Sequence, residues 1–175
     1  MKWWVTVGLT LAAVVAQSTL LDKVIVFGVK PDLLLLLAVA YGLLYGPVRG
    51  AAVGFLGGIL QDLLVGRLIG LHALSKAVAG ALAGLAEREV FKENLAMPFL
   101  LTMVGTVLSE LLVYSVLYAV GRHMPLAQAW KQVIVPEAIY NAVLSPFLYR
   151  ILYRHAPSWY VEAEALTRSR SSLRR

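Results

Sequence analysis

The sequence predicts an all-α protein, a polytopic bundle of about six transmembrane helices. Of its 175 residues, 59% are hydrophobic and 15% are charged, whereas soluble domains average about half apolar and about a quarter charged. Several apolar stretches approach the roughly 20 residues that cross a bilayer, and only short connections separate them. The composition therefore predicts one transmembrane domain, residues 1–154, followed by a basic cytoplasmic tail, residues 155–175.

The hydrophobic pattern predicts spans over residues 3–21, 31–45, 50–65, 68–86, 95–120 and 132–153. Trp3 and Trp4 are typical of an interfacial anchor at the start of the first span. A signal peptide that ends near Ala16 is an alternative interpretation of this segment. The second and third spans are short and are joined only by residues 46–49, so we expect an antiparallel pair that is tilted, thins the bilayer locally or is buried.

Small residues recur along the third and fourth spans. The third span has a glycine at every fourth position, and the fourth carries alanine and glycine on one face. Because small residues let helix backbones approach closely, we expect these faces to pack on each other or to receive a partner's helix. The candidate packing or docking residues are Gly50, Gly54, Gly58, Ala77, Gly80 and Gly84.

The orientation follows from the positive charges. Six spans place both termini on one side, and excess Lys and Arg usually mark the cytoplasmic side. With the termini inside, the inside segments hold Lys2, Arg49, Arg88, Lys92, Arg150, Arg154, Arg168, Arg170, Arg174 and Arg175, and the outside loops hold Lys23, Lys30, Arg67, Arg122 and Lys131. We therefore predict cytoplasmic termini, and a tail that lies on the inner membrane surface near anionic lipid or is disordered.

Polar side chains within the spans form a second group of candidates. They are Asp62, His72, Lys76, Glu110, Glu137 and Asn141, with Asp32 at the entrance of the second span. Their positions along the spans place them in the outer half of the bilayer, where such residues are expected to point into protein. A short turn joins the third and fourth spans, so we expect an ion pair between Asp62 and Lys76.

Three interpretations of this polar network stay open. It is an outward-facing pocket for a small ligand, a network that fixes the register of the helices, or a docking site for a partner's helix. Discrimination between them requires the positions of the side chains.

The residue types argue against several chemistries. The chain has no cysteine, which excludes disulfides and thiolate nucleophiles. His72 with scattered carboxylates lacks the ligand spacing of a zinc site, and no serine lies in a nucleophile-elbow pattern. The basic residues form no nucleic-acid-binding face. We therefore predict no catalytic residue, no cofactor, no metal and no nucleic-acid partner.

An ordered series of short motifs resembles MreD, a family of membrane-embedded, rod-shape-determining proteins of bacteria. The resemblance is strongest over residues 31–84. It rests on Pro31-Asp32, Leu33–Leu37, Tyr41, Gly46-Pro47, Gly50, Gly54-Phe55, Gly57, Gln61-Asp62-Leu63 and Gly70-Leu71-His72-Ala73-Leu74.

This resemblance implies a non-enzymatic scaffold in the bacterial plasma membrane. Proteins similar to MreD associate with MreC, and through it with MreB and the RodA–transpeptidase synthase of peptidoglycan. The family is also similar in fold to the S components of energy-coupling-factor vitamin transporters, so a substrate-binding transporter subunit is the alternative function.

Overall fold

The computed structural model describes residues 3–19, 28–66, 68–86 and 95–155. The prediction of an all-α protein is confirmed for these residues. The helices are α1 (Trp3–Thr19), α2 (Leu33–Tyr45), α3 (Pro47–Val65), α4 (Leu71–Ala86), α5 (Ala96–Ala119), the short α6 (Leu126–Ala129) and α7 (Val135–Arg154), with a π-helical turn, Trp130–Ile134, between the last two. The predicted basic tail lies outside the described residues except for His155.

Two of these helices, α3 and α5, are both long enough and apolar enough to cross a membrane by themselves. The apolar part of α1 (Thr6–Thr19), α2 and α4 are shorter apolar helices. These helices are consistent with insertion into a membrane.

Helix α2 is the centre of the bundle. It contacts α1, α3, α4, α5 and α7, and every residue of α2 except Leu33 is buried. A helix that is apolar all round is stable in this position, because each side meets another helix. Its 13 residues reach only about 20 Å, which is short of the roughly 30 Å hydrocarbon core. The apolar side chains of α2 are covered by neighbouring helices.

The turn between α2 and α3 is tighter than the sequence predicts. Only Gly46 separates the two helices, and its φ of 89° is a left-handed conformation that favours glycine. Pro47 opens α3, where a proline costs no hydrogen bond because the first turn has no intrahelical acceptor. The predicted start of this span at residue 50 was therefore three residues late.

At its other end α3 stops at a left-handed Gly66, whose N–H donates to the carbonyl of Asp62 at 2.8 Å. This turn brings the chain back into α4, so α3 and α4 run antiparallel. We refer to the side of the bundle that holds this turn as the Asp62 end and to the side that holds the α2–α3 turn as the Gly46 end.

The glycine face of α3 lies directly against the backbone of α4. A Cβ atom built on any of its three glycines would overlap backbone atoms there. The facing residues are Gly50 with Gly80, Gly54 with Lys76 and Ala77, and Gly58 with His72 and Ala73. Gly84 continues this contact against Gly46 and Pro47. Contact of this kind between backbones is what small residues at four-residue spacing permit.

A fourth glycine extends the contact to α2. A Cβ at Gly42 would overlap the carbonyl of Gly80 and approach the backbone of Gly84. Helices α2, α3 and α4 thus form one tightly packed unit. Gly8 of α1 differs, because a Cβ there would meet nothing within 4 Å.

We predict that Gly58→Leu prevents stable folding, because the added side chain must displace the backbone of α4. The loss should be at least about 3 kcal/mol, the upper range for overpacking of a tightly packed core. Thermal unfolding of the detergent-solubilised protein measures it. Gly8→Leu is the matched control and should unfold at the temperature of the parent protein. Equal midpoints for the two variants would contradict the close α3–α4 contact.

Candidate functional site

Asp62 lies near the end of α3, and its carboxylate bonds the start of α4. Its oxygens accept hydrogen bonds from the backbone N–H groups of Gly70 (2.8 Å), His72 (3.2 Å) and Ala73 (3.2 Å). The first turn of a helix has N–H groups without intrahelical acceptors and a partial positive charge. Asp62 satisfies these groups in α4 from the end of α3, and its side chain is completely buried.

His72 completes the environment of this carboxylate. Its ring Nδ1 lies 2.6 Å from Asp62 Oδ1, so the imidazole N–H donates to the carboxylate. The ring is 23% exposed. The pair is therefore buried on the Asp62 side and accessible on the His72 side.

The predicted ion pair between Asp62 and Lys76 is wrong. Lys76 forms its ion pair with Asp32, and Asp62 uses His72 and the backbone of α4 instead. The physical reason is the direction of the side chains: Gly54 packs on the backbone at Lys76, so the lysine side chain points away from α3 and reaches the entrance of α2.

Asp32 is the N-cap of α2 as well as the partner of Lys76. Its Oδ1 accepts from the N–H groups of Leu34 (3.1 Å) and Leu35 (3.0 Å), and its Oδ2 bonds the lysine ammonium. Asp32 is 5% exposed and Lys76 is 1% exposed. Both charges are thus removed from solvent and compensated by each other and by the start of α2.

Asn141 links this ion pair to α5 and α7. Its Oδ1 accepts from the backbone N–H of Asp32 at 2.9 Å, and its Nδ2 donates to Thr106 Oγ1 at 3.3 Å. Asn141 is fully buried. One amide side chain therefore fixes the position of α7 against both α2 and α5.

Hydroxyl groups continue the network toward the Gly46 end. Thr102 Oγ1 donates to Ser145 Oγ at 2.6 Å, and Ser145 Oγ donates to the carbonyl of Pro98 at 2.9 Å. All three residues are buried. The residue patterns had not identified Thr102 and Thr106 as part of this network. The four-residue spacing of hydroxyl side chains on α5 was the available signal.

Glu110 and Glu137 lie at the edge of this polar network. Both are half-buried, and both interact electrostatically with Lys76 and Asp32. Glu137 also hydrogen-bonds Asn141 one helical turn away. A π-helical turn precedes α7, and Pro136 in the first turn of α7 has no N–H with which to continue a regular helix.

The polar residues thus form two units and do not line one pocket. The first unit is Asp62 with His72, and the second is Asp32 with Lys76, Asn141, Glu110 and Glu137. A cavity of about 360 Å³ adjoins the first unit alone, between the α3–α4 turn and the end of α5. Its walls are mainly aliphatic, with His72 and Arg122 as its exposed polar groups.

The contacts of these two units stabilise the positions of the helices. Each buried aspartate closes the start of a helix and bonds one basic side chain, Lys76 for Asp32 and His72 for Asp62. Within the described residues, no three His, Asp or Glu side chains are grouped to hold a metal ion. The arrangement is that of a rigid framework.

Comparison with known proteins identifies one family. The sequence profile of rod shape-determining protein MreD matches residues 1–156, which is most of the chain. No curated protein and no solved structure gives a significant match.

We predict that Lys76→Met destabilises the protein by about 3–5 kcal/mol, because it leaves the Asp32 carboxylate buried without its cation. The double variant Asp32→Asn/Lys76→Met should recover much of this loss. Asparagine remains a good N-cap, and no charge is then left unpaired. Free energies of unfolding in detergent compare the two. A double variant as unstable as the single one would contradict an ion pair whose main role is mutual neutralisation.

We predict that Asp62→Ala loosens the start of α4, because three backbone N–H groups lose their acceptor. The expected cost is about 1–3 kcal/mol. Hydrogen exchange at the amides of residues 70–73 measures it locally. Asp62→Asn is the matched control, since it keeps an acceptor oxygen, and it should retain more protection than the alanine variant. Unchanged exchange in Asp62→Ala would contradict the capping role.

Proposed function

The chain belongs to the MreD family of rod shape-determining membrane proteins, and we propose from this premise that it is a non-enzymatic scaffold of the bacterial cell-elongation complex. In this proposal it holds the transmembrane helix of MreC in the plasma membrane. Through MreC it contributes to the organisation of MreB and of the RodA–transpeptidase synthase of peptidoglycan.

We propose further that α1 to α5 and α7 each cross the membrane once, in an arrangement similar to transporter S components. The burial of α2 supports a crossing that is too short for direct contact with lipid. Arg49, Arg150 and Arg154 lie toward the Gly46 end, and Lys30, Arg122 and Lys131 toward the Asp62 end. Together with the basic tail, this distribution supports cytoplasmic termini and a cytoplasmic Gly46 end.

The observation that carries the scaffold proposal is the internal satisfaction of the buried charges. Asp32 bonds Lys76 and the first N–H groups of α2. Asp62 accepts hydrogen bonds from the N–H groups at the start of α4. A binding pocket for a polar metabolite instead needs polar groups aimed at the ligand. The network therefore supports a protein whose task is to keep a fixed shape.

A partner helix must then dock on a surface that the bundle does not already use. The glycine faces of α3 and α4 are filled by each other. Helix α1 presents a different small-residue pair, Gly8 and Ala12, which are both exposed, and Val7 and Leu11 flank them. We propose this face of α1 as the contact for MreC, because an open small-residue pair allows two helices to approach closely.

The buried face of α1 supports this division of roles. Thr6, Thr10 and Ala13 point into the bundle, and Tyr41 of α2 hydrogen-bonds Thr6. Substitutions on the opposite face therefore leave the attachment of α1 intact.

We predict that Gly8→Leu lowers the amount of MreC that co-purifies with the tagged protein about tenfold, equivalent to about 1.4 kcal/mol of association energy. The added side chain would separate the two helices without contacting the bundle. Quantitative mass spectrometry after purification from native membranes in mild detergent measures the ratio of the two proteins.

Ala119→Leu is the matched control, since Ala119 is an exposed alanine on α5, and it should leave the ratio unchanged. Equal loss in both variants would contradict docking on α1. Failure of the parent protein to retain MreC at all, with a vitamin recovered in its place, would overturn the scaffold function itself.

A further inference from the structure

The cavity beside Asp62 and His72 is mainly aliphatic, and the proposed MreC contact does not use it. Its volume is about 360 Å³, at the lower end of the roughly 300–1,000 Å³ of ligand sites. Six aliphatic side chains supply most of its walls. They are Val65, Leu68, Leu71, Val113, Leu117 and Val120. A cavity with such walls suits the apolar part of a ligand.

His72 presents an unused hydrogen-bond acceptor to this cavity. Its Nδ1–H donates to the buried Asp62 carboxylate, which fixes the ring and leaves Nε2 as the acceptor nitrogen of the neutral imidazole. Within the described residues Nε2 has no hydrogen-bond partner, and it is not among the unpaired polar atoms that are buried. The ring is 23% exposed and lines the cavity. A molecule in the cavity can therefore donate an N–H or O–H group to His72.

Arg122 supplies a positive charge to the same cavity. Gly121, with a left-handed φ of 87°, ends the turn after α5, and the N–H of Arg122 donates to the carbonyl of Leu117 at 3.0 Å. This closure is typical of a glycine-terminated helix, and it holds the backbone of Arg122 beside a wall of the cavity. In the described part of the chain the guanidinium has no ion pair. Its N–H groups are thus available for a phosphate.

The two polar groups lie at one end of the bundle, near the depth of lipid headgroups. Helix α5 is long and apolar enough to cross a membrane, and its 24 residues reach about 36 Å, beyond the roughly 30 Å hydrocarbon core. Arg122 follows the end of α5, and His72 lies in the first turn of α4. The aliphatic walls continue inward, since Val113 precedes Arg122 by about two and a half helical turns. This placement rests on the proposed crossing of α5.

A cation, an acceptor nitrogen and an aliphatic cavity match one class of ligand. We propose that this cavity binds a phospholipid with a primary ammonium headgroup, of the phosphatidylethanolamine type. Its phosphate accepts from Arg122, its ammonium donates to Nε2 of His72, and one acyl chain occupies the aliphatic part of the cavity. The Asp62 carboxylate behind His72 favours the ammonium, and Arg122 favours the phosphate, so a zwitterion complements the charges of the site.

The chemistry of the headgroup provides the test. Phosphatidylcholine has the same charges and the same phosphate, but its quaternary ammonium has no N–H to donate. Native mass spectrometry of the delipidated full chain, titrated with the two lipids of identical acyl composition, should show at least about fivefold more phosphatidylethanolamine than phosphatidylcholine bound. An excess of soluble phosphoethanolamine should not displace the lipid, because it lacks the acyl chains. Displacement would overturn the part of the proposal that places an acyl chain in the cavity.

A substitution at His72 then assigns the preference to this cavity. His72→Asn should abolish the preference, because the asparagine amide can still donate to Asp62 while the acceptor nitrogen Nε2 is lost. His123→Asn is the matched control, at an exposed histidine that does not line the cavity, and it should keep the preference.

A second substitution tests the phosphate contact. Arg122→Gln should weaken binding of both lipids alike, since the phosphate is common to them. Arg150→Gln, at an exposed arginine of α7 near the Gly46 end, should leave the binding of both lipids unchanged.

Equal binding of the two lipids by the parent protein would overturn the proposal. A preference that survives His72→Asn would overturn the assignment to His72. If His72→Asn does not fold, the exposed Arg122 still provides a test, and equal binding by Arg122→Gln and Arg150→Gln would overturn the site. None of these measurements involves MreC, so their outcome is independent of the scaffold proposal.

Discussion

The contact between the backbones of α3 and α4 is the constraint on which the rest of the structure depends. Because glycines remove the side chains from this interface, the two helices lie closer than side chains would allow. This proximity brings the end of α3 within hydrogen-bond distance of the start of α4. It also directs Lys76 away from α3 and toward α2. The positions of both buried aspartates therefore follow from a contact that involves no charged side chain at all.

The two polar units share one physical design. In each, an aspartate closes the first turn of a short helix and bonds one basic side chain, Lys76 for α2 and His72 for α4. Helix starts and side-chain donors both favour a carboxylate, which makes its charge tolerable in an environment that solvates it poorly. Asn141 and the hydroxyls of α5 and α7 extend this arrangement without adding charge. The bundle is thus held by this polar network and by close packing of α2, α3 and α4.

The sequence predicted the helices and the packing faces better than it predicted the partners of the polar side chains. Four-residue spacing of glycines identifies a close-approach face, because that spacing depends only on helix geometry.

The ion pair was mispredicted because Asp62 and Lys76 are near in the chain, whereas the choice between Asp32 and Asp62 depends on side-chain direction. The single-residue turn at Gly46 and the π-helical turn before α7 were also missed, since a hydrophobic pattern does not mark the exact end of a helix. The hydroxyls of Thr102 and Thr106 have the same spacing signal as the glycines, but threonines in apolar helices are common and carry little information alone.

The π-helical turn has a consequence for variation among related chains. A backbone hydrogen bond in such a turn spans one residue more than in an α-helix. Deletion of one residue between Trp130 and Ile134 would convert the turn to regular α-helix while leaving Asn141 and Ser145 facing α5. We therefore expect homologues to differ in length by a single residue in this turn more readily than within α7 (Val135–Arg154), where a deletion between the start of the helix and Asn141 would rotate those two side chains out of the bundle. A gap in an alignment of the family would then mark a tolerated structural insertion and not a change of function.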